Sequence, residues 1–205
     1  MEKGNTKKEI LNAALDLFST QGYEATSISQ IASAVGIKKA SLYSHYESKK
    51  EILDLLIQEV LFAYDKHSIF TTTDWINGQN LPSTKDDIIK MLKGQVAYII
   101  HEPFISKARK MLVIEQFQNQ ELAKLQTKQN YSDIVSFCIG MANHLKKLSL
   151  LDFDDVEIVA MQIAFPINVW INLCDREPNR ESEIMNLIDR HLNQIFKVYG
   201  SKNGK

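Results

Sequence analysis

Between Thr26 and Glu51 the chain reads TSISQIASAVGIKKASLYSHYESKKE, and the side chains in it that could do chemistry are hydrogen-bond donors. Lys38, Lys39, Ser41, Tyr43, Ser44, His45 and Lys49 crowd ammonium, hydroxyl and imidazole groups into one short run. A lysine can donate to guanine O6 and N7, and a serine hydroxyl can serve donor or acceptor edges in the DNA major groove. Tyr43 and His45 suit phosphate oxygens at the groove edge. Lys49 at a helix start would add its charge to backbone N–H groups that attract phosphate, and Thr26 and Ser27 could do the same one helix earlier.

The surrounding residues supply the elements that would carry these groups. Ser27 with Gln30 makes a capping box, and Ile28, Ile31, Ala32 and Val35 follow at helical spacing. Gly36 stands where the pattern ends and a left-handed turn residue is wanted. Ile37 and Leu42 give a second short helix an apolar side, which leaves the donors facing outward. A helix, a glycine turn and a second helix with a cationic outer face is the arrangement of a helix-turn-helix. Ser48 with Glu51 would cap a long helix through Ile52, Leu53, Leu56, Ile57, Val60, Leu61 and Tyr64, with no linker before it.

The string SLYSHYESKKEIL resembles the end of the DNA-binding domain in the TetR family of transcriptional regulators. Glycine, lysine pair, Leu42-Tyr43, His45-Tyr46 and Lys49 lie where that family places such residues, over about residues 6 to 55. The resemblance implies double-stranded operator DNA as partner, a homodimer, and a C-terminal domain that binds a small-molecule effector. It also implies that the last two long helices make the dimer. Repression relieved by the effector is the expected mode, with a constitutive DNA binder or a non-DNA interaction module as the alternatives.

Charge and composition bound these expectations. The chain has 205 residues and a formal net charge of −1, so phosphate binding must come from local placement rather than bulk charge. Cys138 and Cys174 lack a CxxC partner and read as buried free thiols. HExxH, a Gly-rich phosphate loop and GxSxG are absent from the sequence, so no enzyme, metal or cofactor is expected. The start MEKGNTKKE has no apolar signal core and no uninterrupted apolar run reaches spanning length, so a cytoplasmic protein away from membranes is expected.

With four prolines, eight glycines and little β alternation, the chain reads as all-α: a helix-turn-helix domain over 1–50 and a larger helical domain over 51–205. A box from Thr6 to Glu9 would open the first helix, and 68–84 reads as a loop with a turn near Trp75. Ser83 or Thr84, Asn119 and the acidic break at 151–155 would start later helices, one of them running unbroken from Asn119 to Leu148. The helix from Val156 to Cys174 is apolar nearly all round, and Pro166 within it frees the Gln162 carbonyl. That helix and the last one would form a four-helix bundle with a second copy. Phe165, Val169, Leu173, Ile184, Leu187, Ile188, His191, Leu192 and Ile195 are its expected interface. Tyr98, His101, Glu115, Phe137, Met141, His144, Phe165, Asn168 and Trp170 interrupt or enlarge aliphatic stripes and are the expected effector contacts. An effector would act by shifting the helix that begins at Ser48, and so the spacing of the two reading helices.

Overall fold

The structure, a computed structural model, describes residues 3–67 and 82–201. The loop expected over 68–84, with its turn near Trp75, lies almost wholly outside them. Among the described residues the chain forms α1 (Lys3–Gln21), α2 (Ile28–Val35), α3 (Lys39–Tyr43), α4 (Lys49–His67), α5 (Lys85–His101), α6 (Pro103–Glu115), α7 (Gln120–Thr127), α8 (Asp133–Lys147), α9 (Val156–Arg176) and α10 (Glu181–Tyr199). One isolated bridge joins Leu151 and Gly200.

Packing divides the chain into two units, Met1–His67 with Pro103–Gln126, and Ser68–Glu102 with Thr127–Lys205. This is not a division at residue 50. α2 and α3 are short, and the apolar faces of the first three helices close only when later elements are added. Ile10, Phe18, Ile31, Leu42 and Ile52 share one core with Met111 and Leu112 of α6 and Leu122 of α7. Each such side chain contributes about 1.5–3 kcal/mol on burial, so the segment 103–126 is structurally part of the first unit.

In the second unit, Ile88, Leu92 and Val96 of α5 pack with Phe137, Met141 and Leu145 of α8 and with Val159, Ile163, Ile167 and Ile171 of α9. Ile184, Ile188, Leu192 and Ile195 of α10 lie in the same core, at 0, 0, 2 and 7 % exposure. These four residues were expected at the dimer interface. Their stripe instead faces its own unit, because i, i+4, i+8 and i+11 are the positions that meet α5 and α9. Periodicity marks a buried face without saying what buries it.

By length and composition α9 could cross a membrane, with a mean hydropathy of 1.5, although Glu157, Gln162, Asn168 and Asn172 interrupt its apolar run. It is nonetheless a core helix along Val159, Ala160, Ile163, Ala164, Ile167, Ile171 and Cys174. The carbonyl freed at Pro166 is satisfied: Gln162 O accepts a hydrogen bond from His191 Nε2 at 2.8 Å, while Gln162 Oε1 accepts from the Tyr199 hydroxyl at 2.7 Å. His191, expected against a second copy, thus joins α9 to α10 within one chain.

Side-chain caps open several of the helices. Thr84 Oγ1 accepts from Asp87 N at 3.2 Å, Asn119 Oδ1 from Glu121 N at 3.0 Å, and Asp155 Oδ1 from Glu157 N at 3.0 Å. Thr6 does not cap, because α1 begins at Lys3 and Thr6 is buried inside it. The unbroken helix expected from Asn119 to Leu148 is interrupted by a π-helical turn, Lys128–Ser132. Asn168 Nδ2 donates to the Asn130 carbonyl at 3.1 Å, and Tyr131 stacks on Phe165 at 5.6 Å. Both cysteines are buried free thiols, and burial pushes Cys138 up to about 12, which leaves it an unreactive thiol at neutral pH.

Gly36 ends α2 with φ 76°, and the Ile37 N–H reaches the Ala32 carbonyl at 2.9 Å in a Schellman closure. A Cβ there would meet nothing within 4 Å. Gly36→Ala is therefore expected to cost only backbone strain, about 1 kcal/mol. Urea denaturation checks this, and an unchanged midpoint would contradict it.

Candidate nucleic-acid interface

Reading DNA with a helix of five residues requires that the helix be fixed by its neighbours. Leu42 does most of this: it is 0 % exposed and points into the first unit's core. Tyr46, one turn further on, is also buried, and its hydroxyl donates to the Lys7 carbonyl of α1 at 3.0 Å. Burial, and then the charges of Glu59 and Glu51, push the Tyr46 phenol above its usual range, so it stays a neutral donor.

With Leu42 and Tyr46 inward, Lys38, Lys39, Ser41, Tyr43 and Ser44 are exposed and His45 is half-buried. The ammonium groups of Lys38 and Lys39 make no ion pair among the described residues. Tyr43 keeps 47 % of its surface exposed, unusual for an aromatic on an anchored helix. Ser44 Oγ donates to the Ser41 carbonyl at 2.7 Å, which leaves its lone pairs free to accept. The structure thus gathers these expected base- and phosphate-contacting residues on one outer face.

Four other expectations change. Thr26 is 1 % exposed, with Oγ1 donating to Gly22 O at 2.7 Å and accepting from Gln21 Nε2 at 3.0 Å, so its hydroxyl closes the α1–α2 turn. Ser27 is exposed, but it is committed to its capping box: Gln30 N donates to Oγ at 3.2 Å and Ser27 N to Gln30 Oε1 at 2.7 Å. Lys49 Nζ donates to Tyr23 O at 2.6 Å and Thr26 O at 2.8 Å, and lies 4.0 Å from the Tyr23 ring centroid. Two of its three donors are used inside the chain. At the α4 start Ser48 Oγ takes the Glu51 N–H, but Glu51 Oε2 reaches back to Glu47 N at 2.6 Å rather than to the cap's own amide. A carboxylate already sits where a phosphate was expected.

The expected effector contacts are dispersed. Glu115 belongs to the first unit, where its carboxylate accepts from Tyr23 N at 2.6 Å. Phe137 and Met141 are core, and Tyr98 is half-buried on α5. His101 pairs with Glu181 at 2.8 Å, and Trp170 meets His191 edge-on at 5.5 Å. Phe165 and Asn168 hold the π-helical turn. His144 Nε2 is buried without a hydrogen-bond partner among the described residues. Two surface grooves, of about 430 Å³ along α1 and α2 and about 460 Å³ between α5 and α10, include none of these nine residues.

Of the nine expected interface residues, Val169 is 61 % exposed, and Phe165, Leu173, Leu187 and His191 are half-buried. Ile158, on the same periodic stripe as Phe165, Val169 and Leu173, is 49 % exposed, and Val198, which the periodicity did not single out, is 60 % exposed on α10. Their exposure in a single chain is the signal that sequence lacks.

Residues 10–56 match the sequence profile of bacterial regulatory proteins of the tetR family. The negative transcriptional regulator IcaR of the biofilm operon icaADBC from Staphylococcus aureus is 50 % identical over 59 residues, which cover 29 % of this chain and 30 % of IcaR. The chain thus matches less than a third of the length of such relatives. The SmeT–triclosan complex shares the fold at a TM-score of 0.63 with 17 % identity, covering 97 % of this chain and 93 % of that one. SmeT is described as the repressor of the Stenotrophomonas maltophilia multidrug efflux pump SmeDEF. The flavonoid-responsive regulator FrrA aligns at a TM-score of 0.58 with 20 % identity over 97 and 99 % of the two chains.

These placements separate two lysines. Lys39→Ala is expected to cost about 1–3 kcal/mol on the best duplex and to relax preference at one base pair. Its thermal midpoint should stay at the wild-type value. Lys49→Ala should lower the thermal midpoint as well, since two main-chain carbonyls lose their donor. Binding titrations and melting curves on both variants check this, and a Lys49→Ala protein as stable as wild type would contradict it.

Proposed function

We propose that this chain, a member of the TetR family of bacterial regulatory proteins, is a sequence-specific DNA-binding transcriptional regulator. The observation that carries the reading is the outer face of α3, where Lys38, Lys39, Ser41 and Tyr43 are exposed on a helix anchored by the fully buried Leu42. Lysine and serine on that face would read base edges, with Ser44 offering acceptor lone pairs to a base amino group, and Tyr43 and His45 would hold phosphates. Ser27 remains a lesser phosphate contact through its exposed position at the start of α2.

The protein acts as a homodimer on double-stranded operator DNA, because one five-residue helix reads too few base pairs alone. The mate docks on the exposed Ile158, Val169 and Val198 and the half-buried Phe165, Leu173 and Leu187 of α9 and α10. A helix apolar nearly all round needs a partner on the face its own core leaves open. Repression is the mode supported by the likeness to IcaR, a negative regulator. Control by a small molecule is supported by the fold shared with the SmeT–triclosan complex and with FrrA. The effector would bind in the second unit and favour a spacing of the reading helices that no longer matches the DNA.

Duplexes retained from a random library by the wild-type protein provide the probe. Affinity for the best duplex should fall steeply with salt, and triclosan or a flavonoid added to the titration should release it if the effector class is shared. Binding that ignores both duplex sequence and salt would contradict the reading. Sedimentation tests the mate: wild type should run at twice the 23.4 kDa chain mass, and Val169→Arg should shift it toward a single chain. Wild type sedimenting as a single chain would contradict the dimer.

A further inference from the structure

We propose that Glu115 is a positioning residue for DNA reading. Its carboxylate latches the α1–α2 turn from a distant segment, and affinity for DNA depends on that latch. The proposal rests on the DNA-reading assignment above.

Glu115 ends α6 and is 4 % exposed. A carboxylate so buried is costly unless it is hydrogen-bonded. Its partner is the Tyr23 N–H, 2.6 Å from Oε1 and 92 residues away in sequence. The turn is built around this approach. Gly22 has φ +85°, and a Cβ there would stand 3.0 Å from Glu115 Oε1 and 3.1 Å from Ile114 Cγ2. Only glycine lets the two segments come so close.

Other main-chain groups on both sides of Tyr23 N are also taken. Gly22 O accepts from Thr26 Oγ1, Tyr23 O from Lys49 Nζ and from Thr26 N, and Thr26 O from Lys49 Nζ. An anion therefore holds the N–H of Tyr23 while a cation holds its C=O, each matching the sign of the group it meets. Ser27, the cap of α2, follows directly, so the turn sets where α2 begins and, through Gly36, where α3 points. Thr26, Lys49 and Glu115 thus serve one turn.

The latch also has a covalent approach from the second unit. α5 ends at His101, Glu102 is extended (φ −69°, ψ 116°), and α6 begins at Pro103. α6 is further tied to α1 by an ion pair between Lys107 and Asp16. A displacement of α6 along its axis would act on the Tyr23 amide.

The test compares wild type, Glu115→Ala and Glu115→Gln, which keeps an acceptor oxygen but not the charge. Three readouts are needed: affinity and salt slope on the library-selected duplex, the thermal midpoint, and amide hydrogen exchange by NMR. Glu115→Ala should lose about tenfold or more in affinity with an unchanged salt slope, since no phosphate contact is removed. Its Tyr23 amide should exchange faster while amides of Ile10 to Phe18 stay protected, and Glu115→Gln should fall between. A folded Glu115→Ala that binds as tightly as wild type would overturn the proposal. So would an affinity loss accompanied by uniform loss of protection along α1, which marks a stability effect alone. If wild type retains no duplex, the DNA reading itself fails, and the latch with it.

Discussion

A five-residue helix cannot hold its own orientation, so everything the outer face of α3 could do depends on burying Leu42. That burial needs a core larger than the three N-terminal helices provide. The chain meets the need by returning: Met111, Leu112 and Leu122 close the same core that Ile10, Phe18, Ile31 and Ile52 begin. The return has a consequence for function. The unit that carries the reading helix contains a segment that lies between two stretches of the second unit in sequence, so the two units are joined by chain at several points rather than by one linker.

Electrostatics in the first unit work by position. With a net charge of −1, nothing draws the whole molecule to DNA. Of the four lysines near α3, Lys49 is spent on the carbonyls of Tyr23 and Thr26, and Lys50 is paired with Asp54 at 2.8 Å. Lys38 and Lys39 remain, and they stand on the one face where an ammonium would meet base edges or phosphates. A solvent-exposed ion pair such as Lys50–Asp54 contributes little, so phosphate could compete for Lys50 at little cost. The lysine of α4 that anchors the turn would cost more to recruit.

Much of this was legible in the sequence where the signal is local. The Ser27–Gln30 box, the left-handed Gly36, the caps at Thr84, Asn119 and Asp155, and the outward face of α3 all follow from neighbours a few residues apart. What was not legible depends on distant partners. Thr26 and Lys49 look like phosphate ligands until Gly22 and Tyr23 are seen beside them. Glu115 looks like a polar interruption in an apolar stripe until the turn it reaches is known. The stripe of α10 was read correctly as buried, yet only packing against α5 and α9 tells that its own unit buries it. Pro166 freed the Gln162 carbonyl as expected, and only the fold reveals that His191 takes it up.

The central claim is that α3 of each of two copies enters the major groove of one duplex. Hydroxyl-radical footprinting on the library-selected duplex tests it most directly. The account predicts two protected patches on one face of the DNA, separated by about one helical turn, 34–36 Å, or a multiple of it. A single patch, or uniform weak protection along the duplex, would contradict it.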